Sequence, residues 1–229
     1  ISRAASIFIQ QPDVRHPGTV TNPIILSTPE ATTRFILHAS RKDDMLNVIF
    51  FGVRLITKPS WISVGLSYKS AAMMILKKGE HLVAIAEDDV VFPRRRDVFE
   101  IVHRYLQHKT NEWDIFSGLI ADLHADTKIL SAACHEGIQF VTINRMTSMV
   151  YNIYNVRALE ALSTWDPIHD DSRTNTIDRY LENLPNLRVV TTVPFFVGHD
   201  VSSYSTIWQD LKNDAYAKMI ADSERKLRI

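Results

Sequence analysis

Three consecutive carboxylates, Glu87-Asp88-Asp89, stand between the apolar runs His81–Ala86 and Val90–Phe92. Acids this close repel one another, and burying even one without a partner costs several kcal/mol. A divalent cation removes that penalty, and oxygen ligands suit Mg²⁺ or Mn²⁺. An ion held there can carry a diphosphate and neutralise the charge that develops as the diphosphate leaves. The plainer reading is a solvated turn of acids before a helix. The apolar flank on both sides favours a sheet edge instead, and in open α/β sheets ligands gather outside the carboxyl ends of the strands.

Other residues could join such chemistry, each with a structural alternative. Arg54 and Lys58 follow the apolar run Leu46–Val53 and could reach phosphates, although solubilising charges are the simpler reading. Arg94-Arg95-Arg96 follow Pro93. They read as a solvated face, or as a contact for an anionic acceptor or membrane surface. Trp165 and Trp208 could stack on a sugar, but core packing is the default for an indole. Cys134 reads as a small buried residue, since His135 beside it in sequence points elsewhere. With one cysteine there is no internal disulfide and no C-x-x-C for zinc or redox chemistry.

The elements that must hold these residues alternate along the chain. Short strands are predicted at Ala5–Gln10 and Leu46–Val53, with a proline-rich loop over 11–23 and a helix start at Thr28-Pro29-Glu30. A helix capped by Ser60 or Ser63 carries Leu66, Ala71, Met74 and Ile75 at helical period and stops at Lys77-Lys78-Gly79. Strands follow at His81–Ala86, Asp114–Ile120, Thr147–Ile153 and Leu187–Val193; helices at Asp97–Gln107, Ala158–Ser163, Thr176–Leu184 and Gln209–Ile229. Few hairpin signals are visible. The expectation is an α/β fold with a mostly parallel central sheet flanked by helices.

At 229 residues the chain makes one generous domain or two small ones at roughly 150 residues each. It can bury about 70% of its unfolded surface and needs no staple. A 45% hydrophobic and 23% charged composition excludes a disordered chain. Lys+Arg 26 against Asp+Glu 26 argues against a nucleic-acid partner. No apolar run approaches the ~20 residues of a membrane span. Neither a G-x-G-x-x-G nor a P-loop is present among seven glycines. No glycosylation sequon and no signal peptide are visible, and the chain opens on Ile1. The expectation is a cytoplasmic domain cut from a longer protein, with peripheral membrane contact left open by the arginine run.

Several segments together resemble the family 25 glycosyltransferases, which include lipo-oligosaccharide and collagen galactosyltransferases. These are Ile62–Ala71, Lys78-Gly79 and Ala84–Phe92, then Thr147–Ile153 with Ala158-Leu159, Thr176–Leu181, and Pro194–His199 with Ser205-Thr206-Ile207. They keep the family's order over roughly Trp61–Trp208, with Glu87-Asp88-Asp89 matching its L-E-D-D-V-x-F. Tyr68 stands where the family usually has His, Val64 where it has Cys, and His199 where it often has Gln.

The resemblance implies a GT-A-like, Rossmann-like single domain over 1–208, with 209–229 as a charged helix or a linker to a neighbouring domain. It implies a glycosyltransferase that moves a sugar from a nucleotide-diphosphate sugar to a glycan hydroxyl, with inversion, in polysaccharide or lipopolysaccharide synthesis. Glu87, Asp88 and Asp89 would hold the donor. Asp89 would be the direct metal ligand, Glu87 would face the ribose or water, and His199 would be a second ligand that favours Mn²⁺ over Mg²⁺. Asp178 matches the family's P-V-D acid and would be the base, with Asp171 and Asp170 as rivals; its alternative role is to stabilise a helix start. Two other readings stay open: a domain that has lost its chemistry and serves as a binding module, and a metal-dependent nucleotidyltransferase or phosphohydrolase.

Overall fold

The structure, a computed structural model, describes residues 24–27, 49–52, 59–93, 96–168, 171–200 and 213–229. Its strands are β1 (Ile24–Ser27), β2 (Ile49–Gly52), β3 (Leu82–Glu87), β4 (Val90–Val91), β5 (Ile115–Ser117), β6 (Ile129–His135), β7 (Ile138–Ile143), β8 (Tyr151–Asn155), β9 (Val189–Val193) and β10 (Gly198–His199). The helices are α1 (Ser60–Lys77), α2 (Arg96–His108), α3 (Val156–Thr164), α4 (Ser172–Asn175), α5 (Ile177–Glu182) and α6 (Asn213–Leu227). The expected elements at 5–10 and 28–39 lie outside the described residues, as do Arg54, Lys58, Arg94, Arg95, Asp170 and Trp208 and the side chain of Arg96.

Eight strands form one mixed sheet in the order β2-β1-β3-β8-β5-β9-β7-β6, and β10 pairs with β4 in a separate ribbon. The α/β expectation holds, but the sheet is not mostly parallel. Four of its seven neighbouring pairs are antiparallel and three are parallel. Two strands, β8 and β7, account for all four, since each runs against both of its neighbours. The β6–β7 hairpin turns on Glu136 (φ 48°) and Gly137 (φ 79°). That is the twist a two-residue hairpin loop needs, usually supplied by Asn-Gly or Asp-Gly. A glutamate in the first position concealed the turn, and two bonds from Arg104 to its carboxylate, 2.9 and 2.6 Å, hold it there. Cys134 lies exposed on β6, not buried as its composition suggested, because this strand projects beyond the core.

Both faces of the sheet are covered, so β3 buries four residues in succession. Val83 and Ile85 face α1, α3 and α5, joining Tyr68, Ile75, Leu159 and Leu181. Ala84 and Ala86 face α2 and an aromatic group of Phe99, Phe116, Tyr151 and Phe196. The small residues leave room for the large rings opposite them.

Trp165 belongs to the first of these clusters and is fully buried. Its indole N–H donates to the Asn175 carbonyl at 3.1 Å, so it is a core residue and no sugar platform. Gly65 makes its slot: a Cβ there would lie 2.3 Å from Trp165 Cη2 and 2.6 Å from two neighbouring ring carbons. Gly65→Ala is expected to destabilise the fold by about 1–3 kcal/mol through overpacking, read as a lowered urea midpoint at unchanged slope. An unchanged midpoint would show that the indole has room to retreat.

One local expectation needs correction. Pro59, not Ser60 or Ser63, stands at the N-cap of α1 and makes no side-chain cap bond. The last segment, expected as a charged helix or a linker, forms helix α6 over its described residues and packs on the body. Leu227 is buried in the first cluster, Tyr216 and Ile220 pack on the second, and Ser223 Oγ donates to the Ala121 carbonyl at 3.3 Å. Among the described residues, no helix is long and apolar enough to cross a membrane.

Candidate functional site

Glu87 is the last residue of β3, and its N–H donates to the Val150 carbonyl at 3.0 Å. Asp88 and Asp89 form the turn into β4. The short ribbon then does what no local pattern announces. β10 runs antiparallel to β4, with His199 opposite Val90 and Gly198 opposite Val91, and the Asp200 N–H donates to the Asp89 carbonyl at 2.7 Å. This pairing sets His199 Nε2 3.0 Å from Asp89 Oδ2, across 110 positions of sequence.

Gly118 allows the chain to approach that closely. Its N–H donates to the Tyr151 carbonyl (2.8 Å) and its carbonyl accepts from the Val197 N–H (3.1 Å). A Cβ at Gly118 would lie 2.8 Å from Tyr151 Cδ1 and 3.1 Å from Val197 Cγ2. Phe196, held among Phe99, Phe116 and Tyr151, anchors the same segment from the other side.

The side chains around the turn form an electronegative group. Burial holds the Glu87 carboxyl well above the usual carboxylate range, and the charges of Asp89, Asp88 and Asp178 push it the same way. Asp178, in the first turn of α5, is thus near enough for its charge to act on Glu87. Tyr68 is fully buried, and its hydroxyl donates to the Met149 carbonyl at 3.0 Å. Burial and then the charge of Glu87 keep its phenol protonated, with Asp89 and Asp178 adding to the effect. Tyr154 and Tyr216 are raised chiefly by burial and feel Glu87 and Asp178 as well. Two polar atoms at the centre, Asp89 Oδ1 and His199 Nδ1, are buried without a hydrogen-bond partner among the described residues.

Glu87, Asp88, Asp89 and His199 are therefore gathered at one place, and the charge of Asp178 reaches Glu87 there. Asp171 is used otherwise. It caps α4, accepting from the Arg173 backbone N–H at 3.0 Å and from Arg173 Nε at 3.2 Å, and these bonds lower its pKa. Its charge is not among those that raise the Glu87 pKa. Tyr154 and Tyr216 were not anticipated. The spacing of Tyr216, Ile220, Ser223 and Leu227 at i, i+4, i+7 and i+11 is the signal that α6 packs one face against the body.

Among the described residues, no group of three or more His, Cys, Asp or Glu is arranged to hold a metal ion by itself. No family model matches the chain, and no curated protein matches it. Among solved structures the chain is similar to the crystal structure of A197 from STIV, with 14% identity over 75% of this chain and 83% of that one, at a TM-score of 0.41.

Proposed function

We propose that this chain is a metal-dependent glycosyltransferase with a GT-A-like fold, moving a sugar from a nucleotide-diphosphate sugar to a glycan hydroxyl. The observation that carries the reading is the Asp89–His199 pair, 3.0 Å apart, with a carboxylate oxygen beside it that is buried without a partner among the described residues, and with the charges of Asp89, Asp88 and Asp178 all acting on Glu87. The donors fit a divalent cation. Two ligands of one octahedral ion at about 2.1 Å each stand about 3 Å apart. Asp89 and His199 would hold Mn²⁺ or Mg²⁺, and the small number of protein ligands suits ions that keep several waters and bind substrate phosphates. When bound, the ion offsets the negative charge of the departing diphosphate.

The chain's own residues supply the rest. Asp178 takes the proton of the acceptor hydroxyl as that oxygen bonds to the anomeric carbon and the carbon–diphosphate bond breaks on the opposite face, which inverts the centre. Glu87 faces the ribose or water of the donor. Tyr68, kept neutral and tied to the Met149 carbonyl, feels the charges of Glu87, Asp89 and Asp178.

Thermal unfolding with UDP-, GDP- and CMP-sugars and their nucleotides, with and without Mn²⁺, tests the proposal. A nucleoside diphosphate with Mn²⁺ is expected to stabilise by about 2.7 kcal/mol at a hundredfold excess over Kd. That corresponds to about 5–10 °C for a chain of this size, while either component alone gives little. Asp89→Ala should abolish the shift without unfolding the protein. A shift that persists in Asp89→Ala, or that needs no metal, overturns the assignment.

A further inference from the structure

Among the described residues, Tyr216 of the final helix contacts His199 of the candidate site. α6 is fastened by buried Leu227, by Ser223 on the Ala121 carbonyl, and by Glu224 Oε2, which accepts the Phe195 N–H at 3.1 Å. Those contacts set Tyr216 against His199, with ring centroids 4.8 Å apart and planes inclined by 59°. The phenol also lies within reach of the charges of Glu87, Asp89 and Asp178.

The His199 imidazole lacks the usual restraint of a metal-binding histidine. Such residues almost always donate their outer ring N–H to a carboxylate, carbonyl or water, which fixes both tautomer and ring rotation. Here Nε2 faces Asp89 at 3.0 Å, while Nδ1 is buried with no hydrogen-bond partner among the described residues. Backbone pairing of β10 places the Cα of His199, and the Nε2–Asp89 hydrogen bond ties one end of the ring, which leaves the Nδ1 side to be held by packing. Among the described residues, Tyr216 is the aromatic ring that contacts it.

We propose that Tyr216 is a positioning residue: its ring holds the His199 imidazole with Nε2 toward Asp89, in place of the missing Nδ1 hydrogen bond, and so sets the affinity of the pair for a divalent cation. The inference rests on the metal-binding reading above. It assigns the role to the ring and not to the hydroxyl, so phenylalanine must substitute for tyrosine.

The test uses the full chain with UDP and GDP both present, measuring the Mn²⁺ concentration that gives half the thermal shift. Tyr216→Met, which fills space without a ring, is expected to raise that concentration about tenfold or more. Tyr216→Phe should stay within about twofold of the wild type. NMR of the metal-free protein gives a second readout: the His199 ring protons should be displaced by the neighbouring ring in the wild type and in Tyr216→Phe, and not in Tyr216→Met. A Tyr216→Met protein that binds Mn²⁺ like the wild type overturns the proposal and leaves the metal site standing. So does a Tyr216→Phe protein as weak as Tyr216→Met. A wild type with no Mn²⁺-dependent shift overturns both readings. Undisplaced His199 protons in the wild type overturn the proposal even if Tyr216→Met does not fold.

Discussion

Asp178→Asn is expected to lower the rate of sugar transfer by 10²- to 10⁴-fold, the range that a positioned general base contributes, while Mn²⁺-dependent stabilisation by nucleoside diphosphate stays close to the wild type. The two halves of that result separate two roles open to this residue. Asp178 sits in the first turn of α5, and the Arg179 N–H donates to its Oδ1 at 2.9 Å. An acid there stabilises the helix by about 0.5 kcal/mol, and asparagine keeps most of the local bonding. A purely structural Asp178 would therefore show a small fall in midpoint and no specific loss of rate. A base would show the reverse. The charge of Asp178 acts on Glu87, Tyr68, Tyr154 and Tyr216. Transfer rates within threefold of the wild type would remove Asp178 from the mechanism.

The largest stability effect is expected away from that cluster, at Asp114. This carboxylate is almost fully buried just before β5. It accepts from Arg157 Nη1 on α3 (2.8 Å), from the Arg188 backbone N–H (2.9 Å) and from Arg188 Nη2 (3.3 Å). Its own backbone continues the junction: the Asp114 N–H donates to the Arg188 carbonyl at 2.9 Å, and its carbonyl accepts the Asn155 N–H at 3.0 Å. One side chain thus joins the start of α3 to the approaches of β5 and β9. Asp114→Ala strands the Arg188 N–H and removes two charge-assisted bonds. The guanidiniums are about 40% exposed and can recover water, which keeps the expected cost to about 2–4 kcal/mol. Arg157→Ala should cost less, because Arg188 still faces the acid. Urea midpoints of the two variants check the order, and an Asp114→Ala loss no greater than that of Arg157→Ala would refute it.

How much of this was legible in the amino-acid order can be judged at three places. The strand that ends in Glu87-Asp88-Asp89 was visible because its signal is local: an apolar run buried on both faces, followed at once by charges that cannot follow it inward. α1 and α2 were visible for the same reason, since helical period repeats within a few residues and the stop at Gly79 follows from its left-handed φ of 75°. The sheet's directions were not. Side-chain alternation is the same for a strand whichever way it runs, so nothing in Tyr151–Asn155 shows that it enters between β3 and β5 antiparallel to both.

The site divides along the same line. Three of its acids, Glu87, Asp88 and Asp89, lie on one short stretch and declare their mutual repulsion by composition alone. What they meet was decided in three dimensions. A ribbon only two residues long on each side carries His199 to Asp89, Gly118 gives the segment room to arrive, and the last helix folds back to set Tyr216 on the imidazole. Contacts between positions a hundred residues apart leave no period in the chain, because the free energy that selects them comes from burying surfaces created only when the sheet has formed.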